Sequence, residues 1–229
     1  MKDFSQFEQN LNLNFKNKDL LREAFTHRSY INESKRNDLT HNERLEFLGD
    51  AVLELVVTDF LFKKYPDRTE GDLTSYRSAL VNAVTLGEVA HTLGMNDYLL
   101  LSKGEAKDTG RARNIILANT LESIIGAIYL DRGYRESKKF ILKFVTPGTD
   151  DIIRTKTWLD AKSLFQEKAQ EITSFTPVYK VLKEVGPDHD KRFTSGVFLG
   201  EKKIAEGEGE SKQDAEQIAA KNALKEKNW

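Results

Sequence analysis

Long apolar stretches at helical spacing fill the first two thirds of the chain and limit the folds that it can adopt. They run from Leu45 to Phe62, from Ser78 to Leu93 and from Ile115 to Leu130, with few strand signals between them. Turn-forming residues separate these stretches. The pattern predicts an all-α N-terminal domain of seven to nine helices over residues 1–148.

The pattern changes after this region. A polar, turn-rich segment predicts a linker at residues 149–156. A helix, three strands and a second helix follow, and Ser211 with Asp214 fits a capping box at the start of that last helix. The sequence therefore predicts a second domain over residues 157–229, with a small α+β fold in the order α-β-β-β-α.

Composition excludes several classes of site. The 229-residue chain has no cysteine, which excludes disulfides and thiolate metal sites. No apolar run approaches the roughly 18 residues of a membrane span, and the N-terminus lacks a signal-peptide stretch, so we expect a cytoplasmic protein without a membrane partner. The net charge of −1 is unusual for a nucleic-acid-binding protein. An acidic site would offset a basic groove in that total.

Acidic residues share one face of the first apolar helix. Glu43, Glu46 and Asp50 stand at i, i+3 and i+7, and Glu54 lies on the same face. Like charges at this spacing repel by roughly 0.2–0.5 kcal/mol per adjacent pair, which a divalent cation would offset. Spacing alone also fits an ordinary solvated face, and it does not show which of the acids matter.

A second acidic position lies in the stretch from Ile115 to Leu130, which is apolar nearly all round and is predicted to be buried. Asn119 and Glu122 share one face of it. Because a buried carboxylate without a partner is costly, we expect Glu122 to meet a basic side chain or to bind metal. Oxygen ligands from two helices suit magnesium or manganese.

Several segments resemble the ribonuclease III family. Asn42 to Asp50, NERLEFLGD, resembles its signature motif, and Ala24 to Tyr30, AFTHRSY, and Glu70 to Leu73, EGDL, resemble two further motifs. Leu117 to Asp131 is similar to the family's second acidic helix, and the chain from about Asp160 is similar to a double-stranded RNA-binding domain. The resemblance covers essentially the whole chain and implies a bacterial-type, double-strand-specific endoribonuclease.

The resemblance implies a site for Mg²⁺, with Mn²⁺ as a substitute. Its implied metal ligands come from both acidic helices: Glu46, Asp50, Asn119 and Glu122. Asp50 and Glu122 are implied to be catalytic, and Glu43 and Glu70 match supporting acidic positions. The implied reaction is phosphodiester hydrolysis by a homodimer, giving 5′-phosphate ends and short 3′ overhangs in rRNA and mRNA precursors. His27 and Arg28 are expected to be structural.

The resemblance also assigns contacts with duplex RNA to the second domain, where they would reach 2′-hydroxyls and phosphates. These RNA-binding residues are Ser163, Gln166, Glu167, Gln170, His189, Ser211 and Lys212. Gln213 stands where the family usually has a second basic residue, and Lys191 and Arg192 are candidates to compensate. The residues by themselves also fit a generic α+β domain with a solvated helix face.

Asn119 departs from the family, which usually has Asp at this position. Asn keeps an oxygen ligand but removes one negative charge. Two explanations stay open: a natural variant in an active enzyme that needs more metal, which the intact remainder of the acidic set favours, or a substitution introduced to trap an inactive complex. The alternative function is a catalytically weakened or silent RNA-binding relative. A helical nucleotide phosphohydrolase would leave the second domain unexplained.

Overall fold

Nine α-helices form the first unit, Met1–Trp158, among the residues that the structure describes. The structure is a computed structural model that describes residues 2–34, 39–154, 161–187 and 191–229. The helices are α1 (Ser5–Leu11), α2 (Lys18–Ala24), α3 (Arg28–Ser34), α4 (Glu43–Lys64), α5 (Glu70–Val81), α6 (Ala83–Thr92), α7 (Arg111–Arg132), α8 (Tyr134–Phe144) and α9 (Thr149–Arg154).

The second unit, Leu159–Trp229, contains a three-stranded antiparallel sheet and two helices. Its elements are α10 (Ala161–Thr173), β1 (Val178–Val185), β2 (Arg192–Leu199), β3 (Lys202–Gly209) and α11 (Lys212–Lys227). The sheet order is β1-β2-β3, and Phe165, Val197 and Ala219 belong to its buried core. The predicted fold class, an all-α domain followed by an α-β-β-β-α domain, is confirmed.

The apolar stretch from Ser78 to Leu93 is two helices rather than one. It breaks at Asn82, whose backbone is extended (ψ 158°) and whose side chain accepts hydrogen bonds from the backbone N–H groups of Val84 and Thr85. Asn is a favoured N-cap because its carbonyl satisfies N–H groups that have no partner inside the helix. Apolar periodicity runs through the break, so it does not reveal the cap.

Helices α4 and α7 form the centre of the first unit and approach each other at glycine. A Cβ added at Gly49 would lie 1.7 Å from the carbonyl oxygen of Glu122, and one added at Gly126 would lie 2.2 Å from that of Leu45. Each helix therefore presents bare backbone to the other. Only glycine permits such a close approach, which fixes where the two helices cross.

Asn42 connects three elements at the start of α4. Its backbone N–H donates to Thr26 O (2.9 Å), and its side chain donates to Ala24 O (3.3 Å). The hydroxyl of Ser123 on α7 donates to Asn42 O (3.3 Å), and both residues are buried. This network holds the first turn of α4 against the middle of α7.

The predicted linker begins with α9, which contacts the end of α4. Asp150 accepts hydrogen bonds from Lys64 Nζ (2.8 Å) and Tyr65 Oη (2.6 Å). The remainder of that linker and the first residues of the predicted second domain, 155–160, lie outside the described residues. In the parts of the chain that the structure describes, no helix has both the length and the apolar character needed to cross a bilayer.

The close crossing predicts that Gly49→Ala destabilises the first unit. The added methyl group would overlap Glu122 O and force the two helices apart, which we expect to lower the free energy of unfolding by about 3 kcal/mol. Gly71→Ala is the matched control, because its nearest contact would be Thr69 Oγ1 at 3.8 Å. Urea denaturation measures both changes. Equal effects of the two substitutions would show that the α4–α7 approach does not depend on glycine.

Candidate functional site

The crossing of α4 and α7 brings Glu122 close to the acids of α4. The pKa of Glu122 is raised from its ordinary 4.5 to about 8, first by burial and then by the negative charges of Asp50 and Glu46. Glu122 keeps part of its side chain accessible, on a helix whose neighbouring residues Leu121 and Ser123 are fully buried. A basic partner was one of two alternatives for Glu122, and the ion pairs of the described residues include none for it; the nearby charges that act on it are those of Asp50 and Glu46.

The pKa values of Glu46 and Asp50 are also raised by burial and by neighbouring acids, but less than that of Glu122. The pKa of Glu46 is raised by burial first and then by the charges of Glu43 and Asp50, while a hydrogen bond from the Asn119 side chain lowers it. The pKa of Asp50 is raised by burial and then by Glu54. Asn119 is therefore part of the site. Its amide donates to the Glu46 carboxylate, whereas an aspartate at position 119 would repel that carboxylate.

The four predicted ligand residues fit a hard divalent cation by donor type, because all offer oxygen and none offers sulfur. Glu46 and Asp50 come from α4, and Asn119 and Glu122 come from α7. Among the described residues, no group of three or more His, Asp or Glu side chains is drawn together tightly enough to hold a metal ion. The carboxylates thus lie close enough to repel one another but do not converge on one point.

The two supporting acids lie in different surroundings. Glu43 at the start of α4 faces Arg28 Nη1 (3.5 Å) and His41 Nδ1 (3.7 Å) and acts electrostatically on Glu46. Glu70 is exposed at the start of α5, where it accepts a hydrogen bond from Thr74 Oγ1 (3.0 Å). Glu70 is not among the charges that shift the pKa values of the α4 and α7 acids.

His27 forms a local hydrogen bond of the kind expected for a structural residue, whereas Arg28 contacts an acid of the candidate site. The ring Nδ1 of His27 lies 2.8 Å from the Ser29 hydroxyl, and burial lowers the pKa of His27. Arg28 reaches Glu43. Sequence reasoning missed this pair, because the two residues are far apart in the chain. It also missed the roles of Asn42 and Gly126, which depend on contacts between elements.

The second unit presents its predicted polar face on α10. Its four exposed members point away from the buried Phe165 and Ala169: Ser163, Gln166, Glu167 and Gln170. Ser211 is confirmed as the N-cap of α11, since its hydroxyl accepts from the backbone N–H of Asp214 (3.0 Å). His189 lies outside the described residues.

Two of the three candidate basic residues of this unit lie close to acids. Lys191 lies 3.1 Å from Glu184, and Arg192 lies 3.9 Å from Glu210. Lys212 is exposed beside the N-terminus of α11, with its ammonium 5.7 Å from the ring centre of Phe193. The positive end of the helix dipole adds to this charge and favours a phosphate there.

The raised pKa predicts that Glu122→Gln stabilises the protein more at pH 8 than at pH 5. The folded state binds more protons than the unfolded state between pH 4.5 and about 8, so this acid lowers the free energy of unfolding progressively as pH rises through that window. The full shift corresponds to about 5 kcal/mol, and screening by water reduces the expected gain at pH 8 to about 2 kcal/mol.

Urea denaturation in EDTA at both pH values measures this difference. Glu88→Gln, at an exposed position on α6, is the matched control. A gain for Glu122→Gln that is the same at pH 5 and pH 8 would contradict the assigned pKa.

Two family models match the chain, in the same order as the two units of the structure. A family model described as Ribonuclease-III-like matches residues 17–148. A model described as Double-stranded RNA binding motif matches residues 161–227.

Full-length relatives and a solved structure agree with these matches. Ribonuclease 3 of Borreliella burgdorferi is 42% identical over 221 residues, covering 96% of this chain and 90% of that protein. Ribonuclease 3 of Bdellovibrio bacteriovorus is 44% identical over 221 residues, covering 96% and 94%. The ribonuclease III nuclease domain of Campylobacter jejuni, described as having a region involved in dimer formation, is 41% identical with a TM-score of 0.58, covering 63% of this chain and 96% of that one. The chain belongs to the ribonuclease III family of double-strand-specific endoribonucleases, with one nuclease domain and one double-stranded RNA-binding domain.

Proposed function

We propose that this protein cuts double-stranded RNA by hydrolysing phosphodiester bonds with Mg²⁺, leaving 5′-phosphate ends and short 3′ overhangs. Processing of rRNA and mRNA precursors is the proposed setting. The observation that carries the proposal is the electrostatic coupling of Glu122 on α7 with Asp50 and Glu46 on α4, together with the hydrogen bond from Asn119 to Glu46. The same chain contains a domain of the duplex-binding type.

These four side chains would hold the metal. When bound, a divalent cation lowers the pKa of a water molecule and stabilises charge on a leaving oxygen. The protein's own contribution is the negative charge of the carboxylates that α4 and α7 hold near their crossing. Because Glu122 has a pKa of about 8, it retains its proton at neutral pH and must release it before its carboxylate can act as an anionic ligand.

The second domain would supply affinity and choice of substrate. A-form RNA is recognised by shape, through the 2′-hydroxyls of the minor groove and the phosphates beside it. The exposed face of α10 offers Gln166 and Gln170, which can donate to and accept from hydroxyls, and Lys212 offers a cation for phosphate. Hydroxyls and phosphates are present at every base pair, so we propose that duplex structure decides binding.

Cleavage of a labelled RNA duplex tests this function directly. We expect cutting with Mg²⁺, no cutting in EDTA and no cutting of the same sequence as a single strand. Glu122→Gln should abolish cutting and leave duplex binding in EDTA unchanged, because the substitution lies outside the RNA-binding domain. Cleavage by Glu122→Gln at the parent rate would contradict the assigned site, and binding without any cleavage by the parent would favour the silent RNA-binding alternative.

An exposed apolar stripe on α4 supports the proposal of a homodimer. Phe47, Leu55 and Phe62 are 82%, 58% and 69% exposed, and they fall within about 80° of arc at about 100° per residue. Apolar surface of this kind on a folded domain marks an interaction site. The dimer-forming region of the Campylobacter jejuni nuclease domain supports a second copy as the partner.

Phe47→Asp is therefore expected to shift the protein from dimer to monomer, because it places a charge at the most exposed apolar residue of the stripe, which the dimer would bury. Light scattering coupled to gel filtration measures the mass. Phe175→Asp, at an aromatic residue in the second unit that is 55% exposed, is the control and should remain dimeric. A dimer that persists in Phe47→Asp, or a parent that is already a monomer, would contradict the proposed interface.

Asn119 sets the metal requirement of the proposed enzyme. Its amide donates to Glu46, which lowers repulsion among the acids but leaves one charge fewer for a cation. Asn119→Asp should lower the Mg²⁺ or Mn²⁺ concentration for half-maximal cutting by about tenfold, because ligand charge controls affinity for hard cations.

A metal titration of the cleavage rate measures this change, with Glu88→Gln as the control for a change of one charge elsewhere. An unchanged half-maximal concentration would contradict the ligand role of position 119. Cutting by Asn119→Asp alone, with none by the parent at any metal concentration, would identify this chain as a silent RNA-binding relative.

A further inference from the structure

Glu43 is the outermost acid of the site and has a pair of basic neighbours. It begins α4, one turn before Glu46, and its charge raises the pKa of Glu46. Arg28 Nη1 lies 3.5 Å from Glu43 Oε1, and His41 Nδ1 lies 3.7 Å from Glu43 Oε2. Arg28 donates a hydrogen bond to one carboxylate oxygen, which favours one orientation of Glu43. The His41 ring lies beside the other oxygen without a hydrogen bond and attracts it only when protonated.

This arrangement is specific to Glu43 among the acids of the site. Of Glu43, Glu46, Asp50 and Glu122, all in the described part of the chain, Glu43 is the acid whose carboxylate has basic side chains within ion-pair distance. The neighbouring acids interact with one another or, for Glu46, with Asn119. The basic neighbours of Glu43 therefore come from outside α4.

Backbone hydrogen bonds fix the segment that carries Arg28. His27 N–H donates to Leu100 O (3.1 Å), and the Ser29 hydroxyl accepts from Ser102 N–H (3.1 Å). Thr26 O accepts from Asn42 N–H (2.9 Å), directly beside His41 and Glu43. The Arg28 side chain is exposed, but its backbone belongs to the same framework as the start of α4.

Stability of the fold does not account for this pair. The Arg28 and Glu43 side chains are 67% and 48% exposed, and exposed ion pairs contribute little to folding. Orientation is the remaining consequence, because the hydrogen bond from Arg28 favours one position of the Glu43 carboxylate. An orienting residue affects the reaction through the group that it holds, and not through contact with substrate.

We propose that Arg28, together with His41, is a positioning residue that holds Glu43 in its working orientation beside Glu46. The proposal rests on the proposed nuclease function. A direct contact between Arg28 and an RNA phosphate is a different role, and it would appear as a loss of affinity with a reduced dependence on salt.

The test is a double-mutant cycle on the full chain, with Arg28→Ala, Glu43→Gln and the double variant. Single-turnover cleavage at saturating Mg²⁺ should fall about tenfold in Arg28→Ala, and it should fall no further when Arg28→Ala is added to Glu43→Gln. Arg28→Lys should recover most of the rate, because it restores the charge. Arg154→Ala, which removes a similarly exposed pair with Asp151, is the control and should cut at the parent rate.

Duplex binding in EDTA is the second measurement, and Arg28→Ala should leave it within about twofold. A rate unchanged by Arg28→Ala, an equal loss in the Glu43→Gln background, or weaker RNA binding would each overturn the proposal. If the parent chain does not cut, the nuclease function fails. NMR signals of the Arg28 guanidinium then decide the contact: a change on Glu43→Gln supports it, and unchanged signals contradict it.

Discussion

Contact between the bare backbones of α4 and α7, at Gly49 and Gly126, is the constraint on which the site depends. A side chain at either position would overlap a carbonyl oxygen of the other helix. The crossing sets which faces meet, and it brings Glu122 within electrostatic range of Glu46 and Asp50. Asn42 and Ser123 reinforce the contact at the start of α4.

The same contact has an electrostatic cost. Burial beside the crossing, and then the negative charges of Asp50 and Glu46, raise the pKa of Glu122 to about 8. The structure relieves this repulsion in two ways: Asn119 donates a hydrogen bond to Glu46, and Arg28 with His41 faces Glu43. Perturbed acids of this kind are typical of functional sites, where stability is exchanged for chemistry.

Periodicity was sufficient to predict the order of elements and the acids that share a face of α4, because both follow from the geometry of one helix. It did not predict the break at Asn82, where a side-chain cap overrides a continuous apolar pattern. It also did not predict which acids meet, since that depends on a crossing between helices distant in sequence. The Arg28–Glu43 pair was missed for the same reason. The assignment of metal ligands came from family resemblance, and the geometry adds their electrostatic coupling.

Direct measurement of metal binding tests the central claim, that α4 and α7 together form one cation site. Electron paramagnetic resonance of Mn²⁺ mixed with the protein, without RNA, reports bound and free ion separately. We predict saturable binding to the parent chain and an affinity at least about tenfold lower when Asp50→Asn on α4 is combined with Glu122→Gln on α7, because two ligand charges are removed. Mn²⁺ binding of equal affinity in the parent and the double variant would contradict it.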